Sequence, residues 1–395
     1  MFSKSVRTTN VRPAHMSQVS LSRARASFTM NMRTSQRTQL DTVWPAVRHS
    51  GTKPATRWRA TPQLSPGQTW EERYGEPLSF GVSSQQGERE EMEDVAAIVP
   101  KGVSGYFFAG VFDGHAGVKA SQYLAENLYS SITRALQQDG FGEDPPAPEF
   151  SELLSKVFQE VDHSLLERLE RPGKAPSDAG STATCVLVRR EKLHVANVGD
   201  SRAVLSRGGK ATDLTTEHRA YGKGDIVKQE KKRIESVGGW VKNGRVCDML
   251  AVTRAFGDAD FKGDTNRKRM LEEGVREGYW SEDFASKVNF TGDPVIATPD
   301  VATVPLESHD EFIIIASDGL WDVYSSSEAV SLLRRGFMNG NTAQEMADLL
   351  VERAIQRRTQ DNVVVVVVII GDPETSRAAG TVKSKKQGLF SGWLK

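Results

Sequence analysis

The chain has 395 residues, 51 basic and 51 acidic side chains, and two cysteines, Cys185 and Cys247. With no single-sign basic field across its body, nucleic acid is excluded as the main partner, and two cysteines exclude a disulfide framework or a cysteine-rich zinc site. No apolar run reaches the ~18 residues that a membrane-spanning helix needs; the longest, 363–370, has the length of a strand.

Charge is unevenly placed along the chain. The first 70 residues carry 11 Lys or Arg against one acid, Asp41, which leaves the remainder acidic. Residues 1–40 contain no acid, many Ser, Thr and Arg, and no apolar central segment. That pattern differs from a secretory signal and matches an organellar transit peptide, with a disordered basic arm as the alternative; frequent Ser and Thr favour the chloroplast. The expected division is a transit peptide and basic arm over 1–55, a linker over 56–73, one catalytic domain over 74–372 and a basic, apolar tail over 373–395.

Within the body, short β-rich runs bounded by turn residues predict strands at 78–82, 95–99, 106–112, 182–188, 193–198 and 203–206. Leu124, Leu128, Ile132 and Leu136 recur every four residues and predict an amphipathic helix over 118–137. A second helix is expected over 151–169, with Leu154, Val157, Phe158, Val161 and Leu165 on one face, after a break at Pro145-Pro146-Ala147-Pro148. Residues 171–178 read as a loop, and the pairs Gly208-Gly209 and Gly238-Gly239 as turns. Later helices are expected at 326–335 and 342–357. Residues 261–289 are polar and interrupted, long for a loop in a compact domain; with 219–239 they are expected to form a flap. Paired helices among many strands, without strict βαβ alternation, point to antiparallel sheets with helices packed outside.

Acidic segments stand against the apolar runs: Arg89-Glu90-Glu91-Met92-Glu93-Asp94, Asp113-Gly114-His115, Ser317-Asp318-Gly319 and Asp361-Asn362. One acid beside a strand is usually a turn former or a helix cap; four such segments together point to a metal. Oxygen donors alone suit Mg²⁺ or Mn²⁺ rather than zinc, and Gly114 lets backbone approach an ion closely. Two ions roughly 3.5–4 Å apart would lower the pKa of a shared water from about 15.7 towards about 7, giving a nucleophile without Ser or Cys. His115 is placed to protonate a leaving oxygen, an effect of roughly 10²- to 10⁴-fold. Arg89 has the planar geometry to clamp a phosphate, or else pairs locally with Glu90 or Glu93. Cys185, inside the run 183–188, reads as a small buried hydrophobe.

Ordered motifs then carry a resemblance. Arg89-x-x-Met92-Glu93-Asp94, Val111-Phe112-Asp113-Gly114-His115-Ala116-Gly117, Gly180-Ser181-Thr182-Ala183, Asn197-Val198-Gly199-Asp200-Ser201-Arg202, Thr253-Arg254-Ala255-Phe256-Gly257-Asp258, Ala316-Ser317-Asp318-Gly319-Leu320-Trp321-Asp322 and Gln360-Asp361-Asn362 together resemble the type-2C, metal-dependent protein Ser/Thr phosphatases. The resemblance implies an α+β fold, a β-sandwich of two antiparallel sheets flanked by α-helices, with a dinuclear Mn²⁺ or Mg²⁺ site at one end. Asp113 matches the bridging ligand and Gly114 its neighbouring carbonyl; Asp318 and Asp361 match ligands of one metal, and Glu93 and Asp94 acids on the side of the second. Arg89 matches the phosphate-binding arginine and His115 the general acid, while Asp200 and Asp322 resemble acids near a weaker third metal. The family's common form has Gly-Gly after the histidine. Here Ala116-Gly117 follows, and no loss of activity is expected provided residue 116 does not need a positive φ.

The segments 243–245, 273–282 and 292–300 resemble the branch of the family that acts on phosphorylated light-harvesting antenna proteins at the thylakoid and reverses state transitions. The implied partners are antenna phosphoproteins, met by a monomer in the chloroplast stroma and at the stromal thylakoid face. Alternatives are a stromal phosphatase of another substrate, a hydrolase of small phosphate esters, and a non-catalytic phosphoprotein-binding module; the last predicts a missing metal acid, and none is missing. The tail, with Lys383, Lys385, Lys386, Leu389, Phe390 and Trp393, is either a frayed end or a peripheral membrane anchor.

Overall fold

The computed structural model describes residues 78–138, 146–170 and 177–371. The leader, the linker, most of the 171–178 loop and the tail lie outside the described residues.

Ten strands form the frame: β1 (Ser79–Gln85), β2 (Val95–Val99), β3 (Phe107–Phe112), β4 (Ala183–Arg189), β5 (Lys192–Val198), β6 (Arg202–Arg207), β7 (Lys210–Asp213), β8 (Asp300–Pro305), β9 (Asp310–Ala316) and β10 (Val363–Ile369). They make two five-stranded sheets with orders β1-β10-β9-β6-β7 and β8-β5-β4-β3-β2, antiparallel at every pairing. Period-2 alternation sorts their side chains. On β3, Phe107, Ala109 and Val111 enter the core between the sheets, with Ala96, Ile98, Val186, Val188, Ile313 and Ile315. Phe108 and Phe112 point the other way, towards helices. The six consecutive valines of β10 follow the same rule: Val364, Val366 and Val368 face the opposite sheet, while Val363, Val365 and Val367 face a helical layer. A strand buried on both faces needs no polar alternation, and β-branched side chains fit it.

The outer layers are helical. α1 (Lys119–Gln138) and α2 (Ala147–Leu169) cover the β2–β3–β4–β5 side through Leu124, Leu128, Ile132, Phe150, Leu154 and Phe158. α2 begins four residues before the expected boundary, inside the proline run. Pro146 caps it and Pro148 sits in the first turn, where the missing amide hydrogen has no intrahelical partner to lose. The other sheet is covered by helices Ser326–Met338 and Ala343–Gln356, each opened by a capping box, Ser325 with Glu328 and Thr342 with Glu345.

Between β7 and β8 the chain leaves the sandwich. Helices α3 (Asp225–Ser236) and α4 (Asp264–Arg276) occur here, within the stretches 219–239 and 261–289 that the sequence pattern marks as flap and loop. With the hairpin at Val241–Lys242 and Arg245–Val246 they enclose a small core of Ala220, Ile234, Phe261, Met270 and Val295. Trp240 is ringed by Trp280, Phe284 and Phe290 at centroid distances of 5.6, 5.0 and 6.2 Å. The insert is therefore a packed subdomain rather than a loop. Among the described residues, no helix is long and apolar enough to cross a membrane.

Candidate active site

The strand directions bring the acidic segments to one end of the sandwich. β3 ends at Phe112 and delivers Asp113; β5 ends at Val198 and delivers Asp200; β9 ends at Ala316 and delivers Asp318. β10 starts just after Asp361, and β2 starts just after Glu93 and Asp94. Antiparallel pairing places these starts and ends side by side: Val95 lies opposite Phe112, and Gln85 opposite Val363. One carboxylate oxygen from each of Asp113, Asp200 and Asp318 can be chosen so that all lie within 4.8 Å of one another. Asp200, expected beside a weaker third ion, thus converges on the same point as Asp113 and Asp318.

Asp113 and the loop that carries Glu93 and Asp94 are held from behind. The Asp113 amide donates to Thr182 Oγ1 (3.2 Å), and its carbonyl accepts from the Thr182 amide (2.9 Å). Asn362 ties down the loop carrying Arg89, Glu93 and Asp94: its Nδ2 donates to the Gln86 (2.7 Å) and Glu91 (3.0 Å) carbonyls, and its Oδ1 accepts from the Glu93 amide (2.8 Å). The side chain of Glu93 accepts from the Gly117 amide. Arg89 pairs with neither Glu90 nor Glu93; its Nη2 donates to Asp361 Oδ2 at 2.6 Å, and its side chain stays 55% exposed, open to a ligand.

Two functional neighbours have no assigned role in the sequence reading. Arg219 donates to Asp200 (3.0 Å) and Asp322 (3.3 Å), lies 3.6 Å from Asp318, and stacks over Tyr221. It is how Asp322 joins the cluster. Asp258 receives His115 Nε2 at 2.8 and 3.0 Å on its two oxygens. Burial opposes protonation of His115, but the Asp258 carboxylate outweighs it and holds the imidazole above its ordinary pKa. Asp258 lies within a quoted motif, yet no local pattern links it to a histidine 143 positions away.

A family model described as protein phosphatase 2C matches residues 78–363. The chain belongs to the protein phosphatase 2C family. Protein phosphatase 2C 57 of Arabidopsis thaliana is 44% identical over 298 residues, which are 75% of this chain and 76% of that protein. Probable protein phosphatase 2C 69 of the same plant is 34% identical over 297 residues, 74% of this chain and 70% of its own. In fold, the chain is similar to a serine-threonine phosphatase 2C from Toxoplasma gondii, with a TM-score of 0.57 at 22% identity over 80% of this chain and 99% of the other. Protein phosphatase 2C enzymes are metal-dependent protein Ser/Thr phosphatases, and this chain is one of them.

The donor set fits a hard divalent cation. The donors are all oxygen, and buried Asp94 has one carboxylate oxygen, Oδ2, without a hydrogen-bond partner among the described residues. Burial pushes the Asp94 carboxyl up to about 8. Burial, then repulsion from neighbouring carboxylates, drives Asp113 and Asp318 well above the usual carboxylate range. Such a cluster is short of positive charge.

In this phosphatase the Ala116 backbone has φ 55°, followed by Gly117 at φ 116°. The condition for a harmless alanine is therefore not met, because a left-handed conformation strains any residue with a Cβ by about 1–2 kcal/mol. Ala116→Gly should stabilise the protein by about 0.5–1 kcal/mol after the greater freedom of glycine in the unfolded chain is subtracted. A lower thermal midpoint for that variant would contradict this. Cys185 is buried as expected, and Cys247 is buried too, with burial pushing its thiol up to about 12. Neither is poised as a reactive thiolate.

Proposed function

We propose that the chain hydrolyses phosphoserine and phosphothreonine in thylakoid light-harvesting antenna proteins, with the sandwich-end carboxylates as its metal centre. The convergence of Asp113, Asp200 and Asp318 beside the His115–Asp258 pair carries the catalytic part of this reading. Asp113, the Gly114 carbonyl, Asp318, Asp361, Glu93 and Asp94 would hold two Mn²⁺ or Mg²⁺ ions, and Asp200 with Asp322 a weaker third. When bound, the ions lower the pKa of water and neutralise phosphoryl charge.

The remaining work falls to side chains. Arg89 exchanges its bond with Asp361 for two phosphoryl oxygens, which fixes the phosphate for in-line displacement. With Nε2 held by Asp258, Nδ1 is the His115 nitrogen left to give the departing Ser or Thr oxygen a proton. Among the described residues, four exposed large apolar side chains lie on the inserted subdomain: Tyr221, Met249, Tyr279 and Phe284. They support its reading as a flap that meets the protein part of the substrate.

The antenna substrate and the chloroplast location rest on the resemblance of segments 243–245, 273–282 and 292–300 and on the composition of the leader. A stromal phosphatase of another substrate is the alternative. The test combines chloroplast fractionation with Mn²⁺-dependent phosphate release from antenna phosphopeptides, unrelated phosphopeptides and p-nitrophenyl phosphate. The expected result is stromal and thylakoid-surface enrichment, preference for the antenna peptides, and a KM raised about tenfold for antenna phosphoprotein alone in the Met249→Ser/Tyr279→Ser variant. Equal rates on all peptides would remove the substrate assignment and leave the phosphatase chemistry standing.

A further inference from the structure

Behind the His115–Asp258 pair lies a second charged pair, Asp162 with Lys262, also buried and bonded to the backbone beside Asp258. Asp258 occupies a tight corner of the chain: Gly257 has φ 71° and Asp258 φ 52°. Glycine takes a positive φ freely, but a left-handed aspartate persists where its surroundings hold it. Asp162, on α2, accepts the Gly257 amide at 2.8 Å through Oδ1 and the Lys262 ammonium at 2.6 Å through Oδ2. Lys262 Nζ also donates to the Ala255 carbonyl at 2.8 Å. The 255–262 corner is thus fastened on both sides of Asp258 to one carboxylate in the core.

Asp162 is 7% exposed and Lys262 is 6% exposed. A buried ion pair typically gains little over a well-packed apolar pair of similar volume, because both ions lose their hydration. Stability is therefore a poor reason for this pair, and geometry is a better one. The short strands Gly114–His115, Gly180–Ser181 and Phe256–Gly257 lie side by side, with Gly180 between His115 and Gly257. A Cβ at Gly180 would stand 2.3 Å from His115 Nε2 and 2.4 Å from Asp258 Oδ2. The imidazole and carboxylate therefore rest directly on backbone, and a displaced corner has nothing soft to take up the error.

We propose that Asp162 and Lys262 are positioning residues for proton donation: they lock the 255–262 corner so that Asp258 holds the His115 ring aimed at the leaving oxygen. This rests on the reading of His115 as the proton donor. Misplacement by about 1 Å can cost about 10²-fold, and the loss should fall only on reactions that need the proton.

The experiment compares substrates by leaving group in the Mn²⁺-loaded full chain. Phosphothreonine departs as an alkoxide and needs protonation, whereas p-nitrophenyl phosphate departs as a stable phenolate. Asp162→Asn and Lys262→Met should each lower kcat on a phosphothreonine peptide by about 10- to 100-fold, with KM little changed and a far smaller loss on p-nitrophenyl phosphate. His115→Ala should show the same split. The double variant Asp162→Leu/Lys262→Met removes both charges together, so it folds without an orphaned ion, and it should keep the defect. Equal losses on both substrates in the buried-pair variants, or full peptide turnover in the folded double variant, overturn the proposal while a split in His115→Ala leaves the donor in place. If His115→Ala shows no split, the donor reading fails and the proposal falls with it.

Discussion

Asp113→Asn should reduce turnover of a phosphothreonine peptide by roughly 10³-fold while making the metal-free protein harder to melt. The loss follows from position: Asp113 sits at the end of β3, with Asp200 and Asp318 oxygens beside it and its backbone fastened to Thr182. An amide keeps the shape but not the negative charge that would draw a cation. The gain follows from the same crowding. Burial, then Asp94, Asp200 and Asp361, drive the Asp113 carboxyl well up, so the folded metal-free chain holds a proton that the unfolded chain releases. Its stability falls as pH rises from the ordinary carboxylate range towards that raised value, and asparagine removes this penalty. A rise of about 2–4 °C in the thermal midpoint near neutral pH corresponds to about 1 kcal/mol relieved. Retained turnover would rule out Asp113 as an essential ligand, and a lower midpoint would rule out the repulsion.

Glu230→Ala should cost about 3–5 kcal/mol of folding stability, read as a lower urea midpoint, because it leaves two arginines without their shared carboxylate. Glu230 lies on α3, 2% exposed, and accepts from Arg254 Nη2 at 2.8 Å and Arg233 Nη2 at 2.9 Å. Arg254 continues to Asp300 (2.8 Å) on β8, so this carboxylate joins the inserted subdomain to the sheet. Burial raises the Glu230 pKa, but hydrogen bonds from Arg254 and Arg233 outweigh it and bring the value to about 2, against an ordinary 4.5. Folding lowers this pKa, so the stabilisation is complete above the ordinary value and is lost as pH falls towards about 2. Wild type and Glu230→Gln should therefore converge in stability between about pH 5 and about pH 2. A constant gap across that range would assign the effect to packing instead.

The sandwich was legible because its strands obey a local rule. The run 95–99 matches β2 at both ends, and the leucines spaced by four place α1 within one residue of the expected 118–137. The inserted helices broke that rule. α3 buries Val227, Glu230 and Ile234, and α4 buries Arg267, Met270 and Gly274. Their inward faces carry charge that is satisfied by residues distant in sequence, Arg254 for Glu230 and Asp293 for Arg267. In both, charge interrupts the apolar stripe that signals a helix. In the site, the acids stood out because each follows or precedes an apolar run. Arg219 and Asp258 did not, since their partners come from other elements. The left-handed backbone at Ala116 was hidden because alanine seldom adopts it.

β10 has a wider consequence. Its alternate valines belong to different cores, so the strand is a party wall shared by two rooms. Peeling its helical layer away bares Val363, Val365 and Val367, and parting the sheets bares Val364, Val366 and Val368, so either loss strips one face of the same strand. The halves are therefore one cooperative unit rather than two that open independently. Asp361 stands at the head of this wall, and Asp318 follows the strand beside it. The acid cluster is thus assembled only when both halves are intact, and a chain that has lost either half loses its place to hold an ion.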